Sequence, residues 1–77
     1  MILRDLKSKL EENALIPKDC YSLTGGLPNE ALCIARKCGI WEIYYSERGN
    51  KSNLRIFHDE SEACDHFYVS LLRMLNI

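Results

Sequence analysis

The segment from Ile40 to Glu47 restricts the fold more than any other part of this sequence, because its residues alternate between the two faces of an extended strand. One face carries Trp41, Ile43 and Tyr45, and the other carries Glu42, Tyr44 and Ser46. A strand of this kind needs partners to pair with. The segment therefore predicts a β-sheet, and its neighbours in sequence are the first candidates for pairing.

The preceding segment, Glu30 to Cys38, allows two readings. Asn29 could cap a helix and Gly39 could end one. However, the segment is short and apolar, Leu32 and Ile34 alternate with smaller residues, and Lys37-Cys38-Gly39 would form a tight connection into the next strand. The pattern favours a strand.

The following segment supplies the other partner. Arg48 to Asn53 contains a glycine and two asparagines, which tolerate positive φ, and is predicted to be the turn. Leu54 to His58 is then the returning strand. Its adjacent Ile56 and Phe57 point to opposite faces, which predicts that this strand is covered on both sides near its end.

A weaker strand signal precedes these three segments. Cys20 to Thr24 is short and rich in β-forming residues, and it is predicted to be an edge strand. Gly25-Gly26-Leu27-Pro28, which follows directly, is predicted to be a loop.

Helical periodicity occurs at both ends of the chain. Residues Ile2 to Asn13 place leucines on one stripe, and Pro17 prevents continuation. Asp59 lies three residues before Glu62, the spacing of a capping box, and predicts the start of a second helix. Its predicted core face is Cys64, Phe67, Tyr68, Leu71 and Leu75, and its predicted outward stripe is Glu62, His66, Val69 and Arg73. The sequence thus predicts a single α+β domain over residues 1–77, a small antiparallel meander sheet of three to four strands with an N-terminal and a C-terminal helix.

Size and charge exclude several function classes. A chain of 77 residues buries only about 60% of its unfolded surface, which leaves little room for a deep substrate cleft. Ten basic and eleven acidic residues give a net charge of -1 without a basic stripe, so nucleic acid is not expected as a partner. No apolar run approaches the roughly 20 residues that cross a bilayer. We expect a cytoplasmic protein without a membrane partner.

The four cysteines and two histidines provide the candidates for chemistry. Cys20, Cys33, Cys38 and Cys64 contain no C-x-x-C pair, and cytosolic thiols stay reduced, so free core cysteines are predicted. His58, Glu62 and His66 are spaced four residues apart, but His58 precedes the helix and structural zinc sites want four ligands. We expect a solvated helix face there and neither a metal nor another cofactor. No phosphate-binding glycine loop or nucleophile motif is present, and no enzyme is predicted.

Acidic residues cluster at the start of the second helix. Asp59, Glu60, Glu62 and Asp65 have no basic residue among them. Helix capping and a solvated face explain part of this cluster. The functional interpretation is a partner surface that attracts a basic patch on another protein. Both interpretations can hold together.

The central strand and its turn offer a second set of partner-binding candidates. If no helix covers its face, Tyr44 would be an exposed anchor flanked by Glu42, and partial burial under a helix is the alternative. Glu47 and Arg48 follow at the turn. Arg48 could bridge to Glu47 or Asp59, or it could reach into a partner from the loop tip.

Several of these residues form a recognisable pattern. The run Trp41-Glu42-Ile43-Tyr44-Tyr45-Ser46-Glu47-Arg48-Gly49, followed by Phe57 and by Ser61-Glu62-Ala63-Cys64, resembles small bacterial immunity proteins of polymorphic toxin systems. Such proteins carry a W-x-V-Y-Y-x-E-R-G core, then F-x-S-E-x-E-A-C and a terminal helix. This chain departs from the pattern at Ile43, which stands for valine, and at His58-Asp59-Glu60, which lengthens the spacing before Ser61.

The resemblance implies a function as an immunity protein, or antitoxin. Such a protein binds one cognate toxin domain and covers its active site or blocks its substrate path, and the group includes immunity proteins of contact-dependent growth inhibition. Many such toxins are nucleases with basic surfaces, to which the acidic cluster would be complementary. The alternatives are a non-catalytic scaffold or regulatory module that binds another protein, and a small metal-binding protein built on His58, Glu62 and His66.

Overall fold

A four-stranded sheet with both helices on one face forms the architecture of the protein, in a computed structural model that describes all 77 residues. The elements are α1 (Leu3–Glu12), a short 3₁₀ turn (Lys18–Cys20), β1 (Tyr21–Ser22), β2 (Ala31–Lys37), β3 (Ile40–Glu47), β4 (Asn50–Phe57) and α2 (Glu60–Met74). The α+β prediction, with a helix at each end of the chain, is confirmed. So is the strand prediction for the ambiguous segment before Gly39.

The strand order is β1-β2-β3-β4, and the sheet is mixed. β2, β3 and β4 form the predicted antiparallel meander. β1 is an edge strand, as predicted, but it pairs parallel to β2. The loop of residues 23–30 makes the crossover that a parallel pair requires, because a tight turn can join only antiparallel neighbours.

Two tight turns connect the meander. Cys38-Gly39 and Arg48-Gly49 each place both turn residues at positive φ (51° and 82°, 51° and 76°). Turns of this hand match the twist of the flanking strands. The predicted six-residue turn was therefore wrong, since β4 begins at Asn50 instead of Leu54. Register shifts around Tyr44, opposite Asn53 and Leu54, introduce a bulge in β4.

The hydrophobic core lies between the helices and one face of the sheet. The cluster comprises Leu6, Leu10, Ile16, Leu32, Ile34, Trp41, Ile43, Ala63, Cys64, Phe67 and Leu71. The predicted core face of α2 is confirmed, with Tyr68 and Leu75 packed at its margin. The leucine stripe of α1 is likewise buried at Leu6 and Leu10.

The opposite face of the sheet is covered by the loop of residues 23–30. The Tyr44 hydroxyl donates to the Gly26 carbonyl at 2.6 Å, and the Ser46 hydroxyl donates to the Pro28 carbonyl at 2.7 Å. Gly25 (φ 73°) approaches so closely that a Cβ there would lie 2.9 Å from the Cβ of Ala35. Glycine is therefore required where the loop meets the sheet.

This cover does not extend over β4. Ile56 remains 53% exposed, whereas Phe57 is half-buried on the helix face, with its ring centroid 5.1 Å from that of His66. The expectation that this strand is covered on both sides was wrong. β4 forms the outer edge of the sheet and pairs only with β3.

Candidate functional site

The acidic cluster at the start of α2 is mostly engaged in contacts within the chain. Asp59 caps its own helix, because its Oδ2 accepts the Glu62 backbone N–H at 3.0 Å. Glu60 reaches across to α1, where its Oε2 accepts the Leu3 N–H at 2.8 Å. The nitrogen of Met1 lies 3.1 Å from Asp65 Oδ1. Each of these contacts joins groups within the chain and needs no partner to account for it.

The four acidic residues at the start of α2 therefore have different structural roles, although they are close together in sequence. Glu60 satisfies an N–H group that the first turn of α1 leaves without an intrahelical partner. Glu62 is the one member whose side chain is exposed without such a contact. A partner that bound the other three carboxylates would have to compete with these internal contacts.

Tyr44 is not an exposed anchor. It is 1% exposed, and the loop of residues 23–30 covers it, not a helix as the burial alternative supposed. Burial, and then the neighbouring Cys33, raises the pKa of its phenol. Lys51 packs over Tyr44 on the solvent side, with its Nζ 4.6 Å from the centre of the Tyr44 ring and 3.6 Å from the Glu42 carboxylate. Glu42 is therefore half-buried and paired, not free for a partner.

Glu47 and Arg48 are exposed at the β3–β4 turn. Arg48 forms no ion pair with Glu47 or Asp59, since the ion pairs of the chain are Met1–Asp65 and Lys51–Glu42. The predicted bridge is therefore absent. Arg48 contributes its backbone to the turn, and its side chain extends into solvent.

The proposed metal-binding triplet is not assembled by the fold. No group of three His, Cys, Asp or Glu side chains is placed to hold a metal ion. His66 was predicted on the outward stripe, but it is half-buried against Phe57. Burial, followed by the charges of Arg55 and Arg73, lowers the pKa of its imidazole. The register of α2 on the sheet turns this position toward the edge of the core.

The cysteines occupy three kinds of environment. Cys33 and Cys64 are buried, Cys20 is intermediate, and Cys38 is exposed in the β2–β3 turn. The prediction of core cysteines was thus wrong for Cys38, because its segment forms the turn. Burial, with a contribution from Glu60, raises the pKa of Cys64 to about 11 and disfavours a reactive thiolate.

An open groove of about 950 Å³ lies between β4 and the C-terminal half of α2, and we call it the β4–α2 groove. Its floor is the sheet, at Leu32, Ile43 and Tyr45. Its walls are Asn53, Leu54 and Arg55 from β4, and His66, Ser70, Arg73 and Met74 from α2. Because α2 crosses the sheet over its core, it leaves this end of β3 and β4 without cover.

The β4–α2 groove combines exposed apolar groups with free positive charge. Leu54 and Met74 are 47% and 41% exposed. Arg55 and Arg73 both line the groove and neither forms an ion pair. No carboxylate residue is among the lining residues. The groove therefore offers apolar contact and two guanidinium groups to a ligand from outside the chain.

The free edge of β4 borders this groove. An edge strand presents backbone N–H and C=O groups that no neighbouring strand satisfies. Ile56 lies exposed on the same strand, on the face opposite to Arg55. Together, the edge and the groove form a continuous open surface of strand backbone, apolar side chains and arginines.

Sequence reasoning did not select Arg55 or Arg73 as site residues. The periodicity did give one indication of where they lie: Arg55 shares a strand face with Phe57, and Arg73 shares a helical stripe with His66. The pairing of these two stripes depends on how α2 lies across the sheet. That placement is a tertiary property.

Comparison of the chain with protein-family models, with curated proteins and with solved structures finds no match. None of the helices combines the length and the apolar character that crossing a bilayer requires.

Proposed function

We propose that this protein is an immunity protein that binds and neutralises a cognate bacterial toxin domain. The sequence resemblance at Trp41–Gly49 and Ser61–Cys64 supports the class of protein. The open surface formed by the β4 edge and the β4–α2 groove supports a protein as the ligand. The single observation that carries the proposal is this surface, on which Leu54 and Met74 are exposed beside two arginines.

The composition of the surface fits a protein interface. Methionine, arginine and aromatic residues are enriched in protein–protein contacts, where apolar anchors bury area and arginine supplies directed hydrogen bonds. Tyr45, Met74, Arg55 and Arg73 provide this combination in one groove. A small-molecule site would instead enclose most of its ligand, and this groove is open to solvent along β4.

The surface is built on regular elements. β4 is hydrogen-bonded to β3 along most of its length, and α2 is anchored by Phe67 and Leu71 in the core. Binding on such a surface requires little reorganisation of the immunity protein, which keeps the entropic cost of association low. Neutralisation by this mechanism needs no chemistry: a stoichiometric complex covers the toxin's active site or blocks its substrate path.

The internal contacts of the acidic cluster change which surface we assign to the partner. The nuclease prediction relied on free carboxylates at the start of α2, and Asp59, Glu60 and Asp65 are engaged within the chain. We therefore assign toxin binding to the surface around β4. The chemistry of the toxin stays a prediction.

Co-expression with the toxin domain encoded beside this gene tests the proposal. Wild-type protein should protect cells and co-purify with the toxin in a fixed stoichiometry. Leu54→Asp places a charge on the wall of the groove and should abolish protection. Leu15→Asp makes the same change at a site that is 70% exposed, outside the groove, and should protect like wild type.

Two results would contradict this assignment. Absence of both a complex and protection with wild-type protein would remove the immunity function and favour the scaffold or regulatory alternative. Equal protection by Leu54→Asp and Leu15→Asp would leave the function in place but move the contact surface away from the groove.

A further inference from the structure

The two arginines of the β4–α2 groove form no ion pair, whereas most of the acidic residues near α2 and the sheet have a partner within the chain. Glu60 and Asp65 contact α1 and Met1, and Glu42 contacts Lys51. Arg55 and Arg73 come from different elements, line one groove, and have no carboxylate among its lining residues. Both also act on His66, so their positive charges are felt at the same point of the groove.

Arg73 lies in the last turn of α2, where a positive charge stabilises a helix, but its position in one groove with Arg55 adds no stabilising contact to the isolated fold. Like charges in one groove repel each other, and no internal bond offsets that repulsion. Salt and water screen such charges at an open surface, so the cost is small. The floor of Leu32 and Ile43 is apolar, however, and a ligand that displaces water from it would strengthen any charged contact there.

We propose that the β4–α2 groove binds an acidic extended segment of a protein partner, with a carboxylate between Arg55 and Arg73 and the segment's backbone along the free edge of β4. This inference rests on the proposed function in one respect, namely that the partner is the toxin domain. The carboxylate would accept hydrogen bonds from the guanidinium groups, which are suited to planar, two-pronged recognition of carboxylates. Apolar side chains of the same segment would contact Leu54 and Met74.

The charge of the groove and the free backbone groups of β4 favour an acidic segment over a second copy of this chain and over a nucleic acid. A second copy of this chain would bring β4 against β4, a strand without an acidic residue, and the unpaired Arg55 of each copy would disfavour that pairing. A nucleic acid is disfavoured by the net charge of -1 and by the exposed apolar walls. An acidic strand satisfies the arginines, the apolar walls and the backbone groups of the edge together.

A pair of peptides tests the proposal without requiring the toxin. One is a short peptide of alternating glutamate and valine, and the other replaces each glutamate with glutamine. We expect the glutamate peptide to shift the amide resonances of β4 and of the C-terminal half of α2, and to raise the pKa of His66, because a bound carboxylate offsets the two arginines. The glutamine peptide should bind about tenfold more weakly at low salt.

Matched variants isolate the two arginines. Arg55→Gln with Arg73→Gln should weaken glutamate-peptide binding about tenfold and make the two peptides equivalent. Arg4→Gln with Lys7→Gln removes the same charge from the exposed side of α1 and should leave the preference for glutamate intact. Thermal unfolding of both double variants should match wild type, which separates lost binding from lost folding.

The outcomes separate this inference from the immunity proposal. Equal binding of the two peptides, absence of binding, or shifts at the start of α2 would overturn the groove assignment. If the toxin then still bound wild-type and Arg55→Gln/Arg73→Gln protein alike, the immunity function would stand on another surface. If the glutamate peptide bound as expected and the toxin did not, the groove would stand and the immunity function would fall.

Discussion

The two ends of α2 carry opposite charges and use them differently. At its start, Asp59 caps the helix and Glu60 accepts the Leu3 N–H. At its end, Arg73 faces Arg55 across the β4–α2 groove without an ion pair. The first end joins α2 to the N-terminal helix, and the second leaves positive charge open to solvent.

The difference shows that charge density in the sequence is a poor guide to a binding surface. The acidic cluster is contiguous and conspicuous, yet most of its members bind inside the chain. The arginines are far apart in sequence and become neighbours only when α2 packs on the sheet. The informative property is an unsatisfied group in a concave apolar setting, and this is visible only after the contacts of each group are known.

The largest expected effect is on the free energy of unfolding, and it comes from Phe67, which anchors the middle of α2 in the core. Phe67 is fully buried at the centre of the helix's core face. Phe67→Ala should reduce the free energy of unfolding by about 3–5 kcal/mol, because the cavity adds to the lost burial. Denaturant unfolding measures the change. Val69→Ala, 46% exposed on the same helix, should stay within about 0.5 kcal/mol of wild type, and equal effects would mean that the helix is wrongly oriented.

A smaller effect distinguishes the two ends directly. Glu60→Ala removes a charged acceptor from the Leu3 N–H and should cost about 1–2 kcal/mol of unfolding free energy. Glu62→Ala is the matched change two residues further on and should cost about 0.5 kcal/mol, the contribution of an exposed charge near a helix start. Neither change should weaken partner binding at β4. A loss of binding in folded Glu60→Ala protein would restore the acidic cluster as an interface.

The smallest effect is a dependence of stability on pH at the basic end. Burial, then Arg55 and Arg73, lowers the pKa of His66 below its ordinary 6.5. The unfolded chain therefore binds a proton more readily than the folded chain. The contribution of His66 to stability is complete above pH 6.5 and is lost as the pH falls from there through the lower folded pKa.

Unfolding midpoints measured across that pH range check this dependence. His66→Gln should show a shallower decline than wild type, and the bound glutamate peptide should also reduce the slope, since it raises the pKa of His66 in the folded state. Identical slopes with and without His66 would show that folding does not lower the pKa of this imidazole.

The elements that sequence reasoning predicted well are those with a local physical cause. Alternation fixed β3 at its observed bounds, and the Asp59 cap marked the start of α2. The β4 start was missed because Arg48 adopts positive φ, which its residue type does not indicate. The sequence did not decide whether Tyr44 is exposed or buried, because a loop covers it and the path of a loop does not follow from periodicity.

By itself, the sequence determined the helices, the antiparallel meander and the inward face of α2, since these follow from periodicity and local capping. Only the tertiary structure decided the parallel pairing of β1, the Glu60–Leu3 contact and the meeting of Arg55 with Arg73 in one groove. The physical reason is the distance along the chain over which each effect acts. Propensity and periodicity act over a few neighbouring residues, whereas the candidate site depends on how distant segments pack, and packing decides which polar groups find a partner inside the chain.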